Sequence, residues 1–145
     1  MANQDTEWIL NVVQHIDMFS TLTMSEVSGV ISQMRRYRYA KGQTIVKQGE
    51  PGDSFFVIYK GRVEVLSKKS IFKTVKMGEL SDGEFFGEMS LLRDQPRNAT
   101  INAIESTDCF VLFKTDFQTM VKHSPDFANA VKTTSEQRSF ELKQD

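Results

Sequence analysis

Cysteine is almost absent: the 145-residue chain carries only Cys109, so no internal disulfide can form, which fits a reducing compartment. Histidine is nearly as scarce. His15 and His123 fall on separate predicted helices, with no cysteine or carboxylate at metal-ligand spacing, so no metal site is expected. No apolar run approaches the ~20 residues needed to cross a bilayer. The start Met1-Ala2-Asn3-Gln4-Asp5 lacks the basic and apolar regions of a signal peptide. These absences lead us to expect a cytoplasmic protein or module with no membrane span. An excess of positive charge is missing too. A net charge of −1 and a pI near 6.1 argue against direct binding to nucleic acid. There is no nucleophile elbow around Ser90 and no Walker-type loop, and Cys109 sits in an apolar alternating stretch that suits packing better than nucleophilic attack. Nothing reads as catalysis, and no cofactor is expected.

What is present is ordinary in amount and specific in arrangement. Hydrophobic residues make up 39% and charged residues 26%, enough for one globular domain of this length. Trp8, Ile9, Val12, Val13 and Ile16 recur at helical spacing, with Asp5 or Thr6 as a cap. Thr23 and Glu26 form a capping-box pattern ahead of a second stripe, Val27, Val30, Ile31 and Met34. The two helices are expected to pack on one another and on the domain after them. Arg35-Arg36-Tyr37-Arg38-Tyr39 interleaves basic and aromatic residues; given the charge balance, it reads as a strand rather than a nucleic-acid patch.

Residues 43 to 113 then carry short strands separated by turn signals. Thr44-Ile45-Val46 and Ser54 to Tyr59 are strands, with Glu50-Pro51-Gly52-Asp53 between them as a type II turn in which Gly52 supplies φ > 0. Arg62 to Leu66 and Phe72 to Met77 alternate in and out around a polar tip, Ser67-Lys68-Lys69-Ser70. Thr100 to Ile104 and Cys109 to Phe113 complete the set. The fold class is mainly β with flanking helices, a sandwich or jelly roll. Thr115 to Val121 reads as a helix capped by Thr115. Ser124-Pro125 opens another, with Phe127, Ala130, Val131 and Thr134 on one face.

The most informative stretch is Gly83 to Thr100. Gly87 permits close backbone approach. A short helix beginning near Glu88 would aim free N–H groups at a common point. Arg97, placed by Pro96, can bring a planar bidentate donor to the same point. That is a pocket for a phosphate-like anion. Glu88 fits there by accepting a hydrogen bond from a neighbouring hydroxyl, as on a ribose.

Phe86-Gly87-Glu88-Met89-Ser90-Leu91 and Pro96-Arg97-Asn98-Ala99-Thr100 together resemble the phosphate-binding cassette of cyclic nucleotide-binding domains. The resemblance extends through Lys41-Gly42-Gln43-Thr44-Ile45, Gly49 to Ile58 and Gly61-Arg62-Val63, covering roughly residues 19 to 121. It implies a single domain over 1–145: helices in 5–34, a β-roll in 35–113 holding the cassette 83–100, and C-terminal helices in 115–143. It implies a cyclic nucleotide, cAMP or cGMP, as ligand. The phosphate would meet Arg97 and backbone N–H groups near Ser90 and Ala99, and the ribose 2′-OH would meet Glu88 and Gly87. Phe86, Met89 and Asn98 complete the expected ligand-binding residues, and Phe140 and Leu142 stand in a possible lid helix over the base. A threonine after the arginine favours cGMP in the family; Asn98 is not that threonine, so cAMP is the expected preference. Tyr59 stands where kinase regulatory subunits carry an acidic residue supporting the arginine. The effector would lie on another domain or protein. The competing expectation is a relative that has lost its ligand and serves as an interaction module.

Overall fold

The computed structural model describes residues 3–129 and residue 132. They form two compact units, residues 35–114 and the helical segments drawn from Met1–Met34 and Thr115–Asp145.

Residues 35–114 build eight antiparallel strands: β1 (Arg35–Tyr39), β2 (Thr44–Val46), β3 (Ser54–Lys60), β4 (Arg62–Ser70), β5 (Lys73–Ser81), β6 (Phe85–Phe86), β7 (Thr100–Ala103) and β8 (Thr107–Phe113). One sheet has the order β1-β8-β3-β6 and the other β2-β7-β4-β5. Each sheet thus joins strands far apart in sequence, the topology of a β-roll. Alternation sends Phe56 and Ile58 of β3, Val63 of β4, Phe86, Ile101, Cys109 and Val111 into one buried cluster. Phe56 and Phe86 stack at its centre, ring centroids 4.7 Å apart and 11° from parallel. Strand β3 is buried on both faces from Ser54 to Ile58, which explains its unbroken apolar run.

The interleaved arginines of β1 have a local purpose. Arg38 Nε donates to Asp108 Oδ1 at 2.8 Å and Arg36 Nη2 to Asp108 Oδ2 at 3.0 Å, both across the β1–β8 pairing. Arg36 also lies over the Tyr59 ring, 4.8 Å from its centroid. These contacts hold the guanidinium groups to their own sheet, in keeping with the strand reading.

Two turn assignments are corrected. Gly52 does not have positive φ; Gly49 does, at +90°, in a turn closed by Glu50 N–H donating to Lys47 O at 3.2 Å. Pro51 instead bridges Pro96 in a strand-like pairing, which holds the chain extended there and needs no turn. The polar tip expected at residues 67–70 is likewise strand: Ser70 pairs with Lys73, and the tip is Ile71-Phe72. Backbone pairing carries β4 four residues past Leu66, where the alternation of side chains places the end of the strand.

In the helical unit, α1 (Asn3–Gln14) packs on α2 (Met24–Gln33). The capping box is complete, with Glu26 N–H donating to Thr23 Oγ1 at 3.2 Å and Thr23 N–H to Glu26 Oε1 at 2.9 Å. Helix α3 spans Lys114–His123, so Thr115 lies inside it rather than capping it, and Asp5 and Thr6 both lie within α1 rather than ahead of it. Ser124 does cap the helical turn after it: its Oγ accepts from Phe127 N–H at 3.2 Å. Phe127 is buried against Phe117. Ala130, Val131, Thr134, Phe140 and Leu142 lie outside the described residues.

Candidate functional site

The cassette leaves the first sheet at β6, where Phe86 pairs with Phe56. Gly87 then turns left-handed (φ 83°, ψ 11°), a region that costs other L-residues about 1–2 kcal/mol. The short helix expected here is a four-residue 3-10 turn, Glu88–Leu91. Its Ser90 N–H donates to Gly87 O at 3.1 Å, so that group closes the turn instead of standing free for an anion. Positive charge at the site therefore comes chiefly from a side chain.

That side chain is Arg97. Its main chain is clamped on both sides by the 49–52 segment: Arg97 N–H donates to Glu50 O at 2.7 Å, and Gly49 N–H donates to Arg97 O at 2.8 Å. Gly52 N–H donates to Gln95 O at 3.2 Å one step earlier. The Arg97 side chain is 7% exposed. Nη1 donates to Ser90 Oγ at 2.9 Å, and Nη2 donates to Ser54 O at 2.9 Å and Ser54 Oγ at 3.3 Å. Asp53 Oδ1 stands 3.6 Å from Nη2, but the Asp53 side chain is 78% exposed, so solvent screens much of its attraction. Burial lowers the Arg97 pKa from its ordinary value, and Asp53 opposes that shift only in part. The cation is thus incompletely compensated. Ser90 Oγ accepts from Arg97 and keeps its own proton to donate.

Around these groups lies a cavity of about 230 Å³. The structure brings all eight expected residues, Phe86, Gly87, Glu88, Met89, Ser90, Arg97, Asn98 and Ala99, into its lining. Val46, Gln95, Pro96 and Ile101 line it as well. Of these, Val46 and Ile101 are adjacent in the β2–β7 ladder, and only that long-range pairing reveals them. Asp53 and Ser54 also escape a reading of the sequence, because their tie to Arg97 spans more than 40 positions. A buried arginine demands acceptors, which is the one signal that points toward them. Tyr59 does not support Arg97; it packs edge-on against Phe110, 5.5 Å between centroids, beneath Arg36. The acidic neighbour of Arg97 is Asp53. Among the described residues, no group of three or more His, Cys, Asp or Glu could hold a metal.

A β-roll that sets a buried arginine and a glutamate around a small cavity has the arrangement of a ligand-binding module. The model of the cyclic nucleotide-binding domain matches residues 36–124, and the chain belongs to that family. It is 30% identical over 127 residues to a cyclic nucleotide-gated potassium channel of Mesorhizobium japonicum, covering 88% of this chain and 34% of that one. It is 36% identical over 93 residues to a cAMP-dependent protein kinase regulatory subunit of Mycosarcoma maydis, covering 64% of this chain and 18% of that one. A crystal structure of a cyclic nucleotide-binding domain from Methylobacillus flagellatus superposes with a TM-score of 0.78 at 25% identity, covering 97% of this chain and 80% of that one. The chain spans about a third or less of the length of these two longer relatives. Among the described residues, no helix is long and apolar enough to cross a membrane.

Proposed function

We propose that the chain is a cytoplasmic cyclic nucleotide sensor that prefers cAMP and couples binding to movement of its C-terminal helix. The observation that carries the binding step is Arg97: a buried guanidinium, short of compensating charge, on the lining of a cavity that also holds Glu88. An anionic phosphate supplies the missing charge, and Ser90 Oγ–H adds a neutral donor. Glu88 is the acceptor for the ribose 2′-OH, which gives a carboxylate a use beside an anion. Preference for cAMP rests on Asn98 not being threonine and on the kinase relative named for cAMP dependence. Coupling requires that the ligand bind two states of the chain with unequal affinity. The effector is a further domain or protein.

Calorimetric titration with cAMP and then cGMP tests this. Arg97→Ala should lose about 2–5 kcal/mol of binding, as truncation of one member of a buried charge pair does, with a melting curve showing that the variant is folded. A second reading has one observation in its favour: Arg97 spends three hydrogen bonds on Ser90 and Ser54 of its own chain. If the folded wild-type chain gives no heat with either nucleotide, the module serves protein interaction instead.

A further inference from the structure

The β4–β5 ribbon outruns its sheet. Strand β4 pairs with β7 only over Val63 to Leu66, whereas it pairs with β5 from Arg62 to Ser70. Beyond Leu66 the two strands continue as a finger ending at Ile71-Phe72. The finger is braced. Gln48 takes the place of a third strand, with Lys68 N–H donating to Gln48 Oε1 at 2.7 Å and Gln48 Nε2 donating to Lys68 O at 3.3 Å. At the tip, Phe72 N–H donates to Ser70 Oγ at 3.2 Å.

This braced tip presents Ile71 at 78% exposure and Phe72 at 91%, the two most exposed large apolar side chains among the described residues. No carboxylate occurs between Val65 and Gly78, while Lys68, Lys69, Lys73 and Lys76 do. Lys76 is neutralised by Glu79 at 2.6 Å and Glu64 at 3.8 Å. Lys68, Lys69 and Lys73 are exposed and take part in none of the ion pairs of the described residues. The finger is therefore locally cationic in a chain of net charge −1.

We propose that the β4–β5 finger docks on an anionic lipid bilayer surface, with Ile71 and Phe72 entering the interfacial layer and Lys68, Lys69 and Lys73 set against acidic headgroups. Buried apolar area combined with attraction to anionic lipid is what drives interfacial binding. The shape favours lipid over protein. Two apolar residues on a convex apex offer far less than the ~800 Å² per partner of a specific protein interface, whereas a deformable headgroup layer closes around a protrusion without a matching groove.

The test is co-sedimentation of the full chain with phosphatidylcholine vesicles, with or without phosphatidylserine, alongside two variants. One is Ile71→Ser with Phe72→Ser; the other is Lys68→Gln with Lys69→Gln and Lys73→Gln. The expected result is pelleting only with the phosphatidylserine vesicles, weakened several-fold by either variant and by raised salt. Because every altered side chain faces water, melting temperature and nucleotide titration should match the parent and show that fold and cavity are intact. Absent pelleting, equal pelleting with both vesicle types, or pelleting indifferent to the variants would overturn the proposal. Capture of a protein partner through the finger with no lipid dependence would overturn it as well.

Discussion

Gly87 and Arg97 approach so closely that a Cβ at position 87 would lie 2.6 Å from Arg97 Nη1 and 2.9 Å from Ser54 O. Both the positive φ of Gly87 and its missing side chain are therefore required to seat the guanidinium. Gly87→Ala should destabilise the fold by about 1–2 kcal/mol from backbone strain and should weaken nucleotide binding further by displacing Arg97. Urea midpoints and calorimetry measure the two effects separately. Unchanged binding in a folded variant would mean that Arg97 keeps its place without this contact.

Gly52 gives a contrasting case, because its φ is not positive and only space is at issue. An added Cβ would lie 2.9 Å from Ser90 Cβ and 3.3 Å from Gln95 O. Gly52→Ala should shift the Glu88–Leu91 turn, costing about 1–3 kcal/mol of stability as overpacking does, with a loss of nucleotide affinity beyond that. Thermal melts and titration read the two outcomes.

Arg97→Lys retains a charge but replaces a planar fork with a point donor. It cannot reach Ser90 Oγ and Ser54 O as two diverging N–H groups do, so binding should weaken by about 1–3 kcal/mol. A variant that bound like the parent would reduce the role of Arg97 to charge alone.

Burial pushes the Cys109 thiol up to about 12 from an ordinary 9.0, with the nearby Asp108 charge adding to the shift. Tyr39 is likewise raised to about 12, again chiefly by burial. Below pH 9 both states of Cys109 hold their proton and the thiol contributes no pH dependence. Between 9 and 12 the unfolded chain releases that proton while the native chain retains it, so stability falls as pH rises. Denaturant midpoints should drop at alkaline pH, and a thiol reagent should leave Cys109 untouched until urea unfolds the chain. Rapid labelling of native protein would contradict the burial.

Asp108 shows the opposite sign. Hydrogen bonds from Arg38 and then Arg36 hold its carboxyl below its ordinary 3.8, against the effect of burial. Its contribution is present above that value and lost as pH falls through the lower folded pKa. Asp108→Asn should flatten the acid limb of the stability profile and cost about 1 kcal/mol or less at neutral pH, since both arginines are exposed.

Local chemistry is legible in the sequence where a side chain decides the geometry, and misleads where the backbone does, as at the 50–53 turn and the Thr115 cap. The Thr23–Glu26 box and the Ser124 cap are decided within four residues, and both are present. Seven of the eight strands follow from alternation or apolar runs. The eighth, Phe85–Phe86, has two residues and exists because Phe86 finds Phe56 across the roll, which no local pattern encodes. The same limit applies at the cavity. Its eight expected lining residues are neighbours in one stretch, whereas Val46 and Ile101 reach the cavity, and Asp53 and Ser54 reach Arg97, from distant segments. The acidic neighbour of Arg97 is Asp53, ahead of Tyr59 in the chain, because spacing cannot reveal which loop folds back over the site.

The clamp on Arg97 has a consequence for time as well as for space. Its amide is held by Glu50 and its carbonyl by Gly49. The Arg97 amide hydrogen can therefore trade with solvent deuterium only when the 49–52 segment lets go, and its exchange rate clocks the release of that segment.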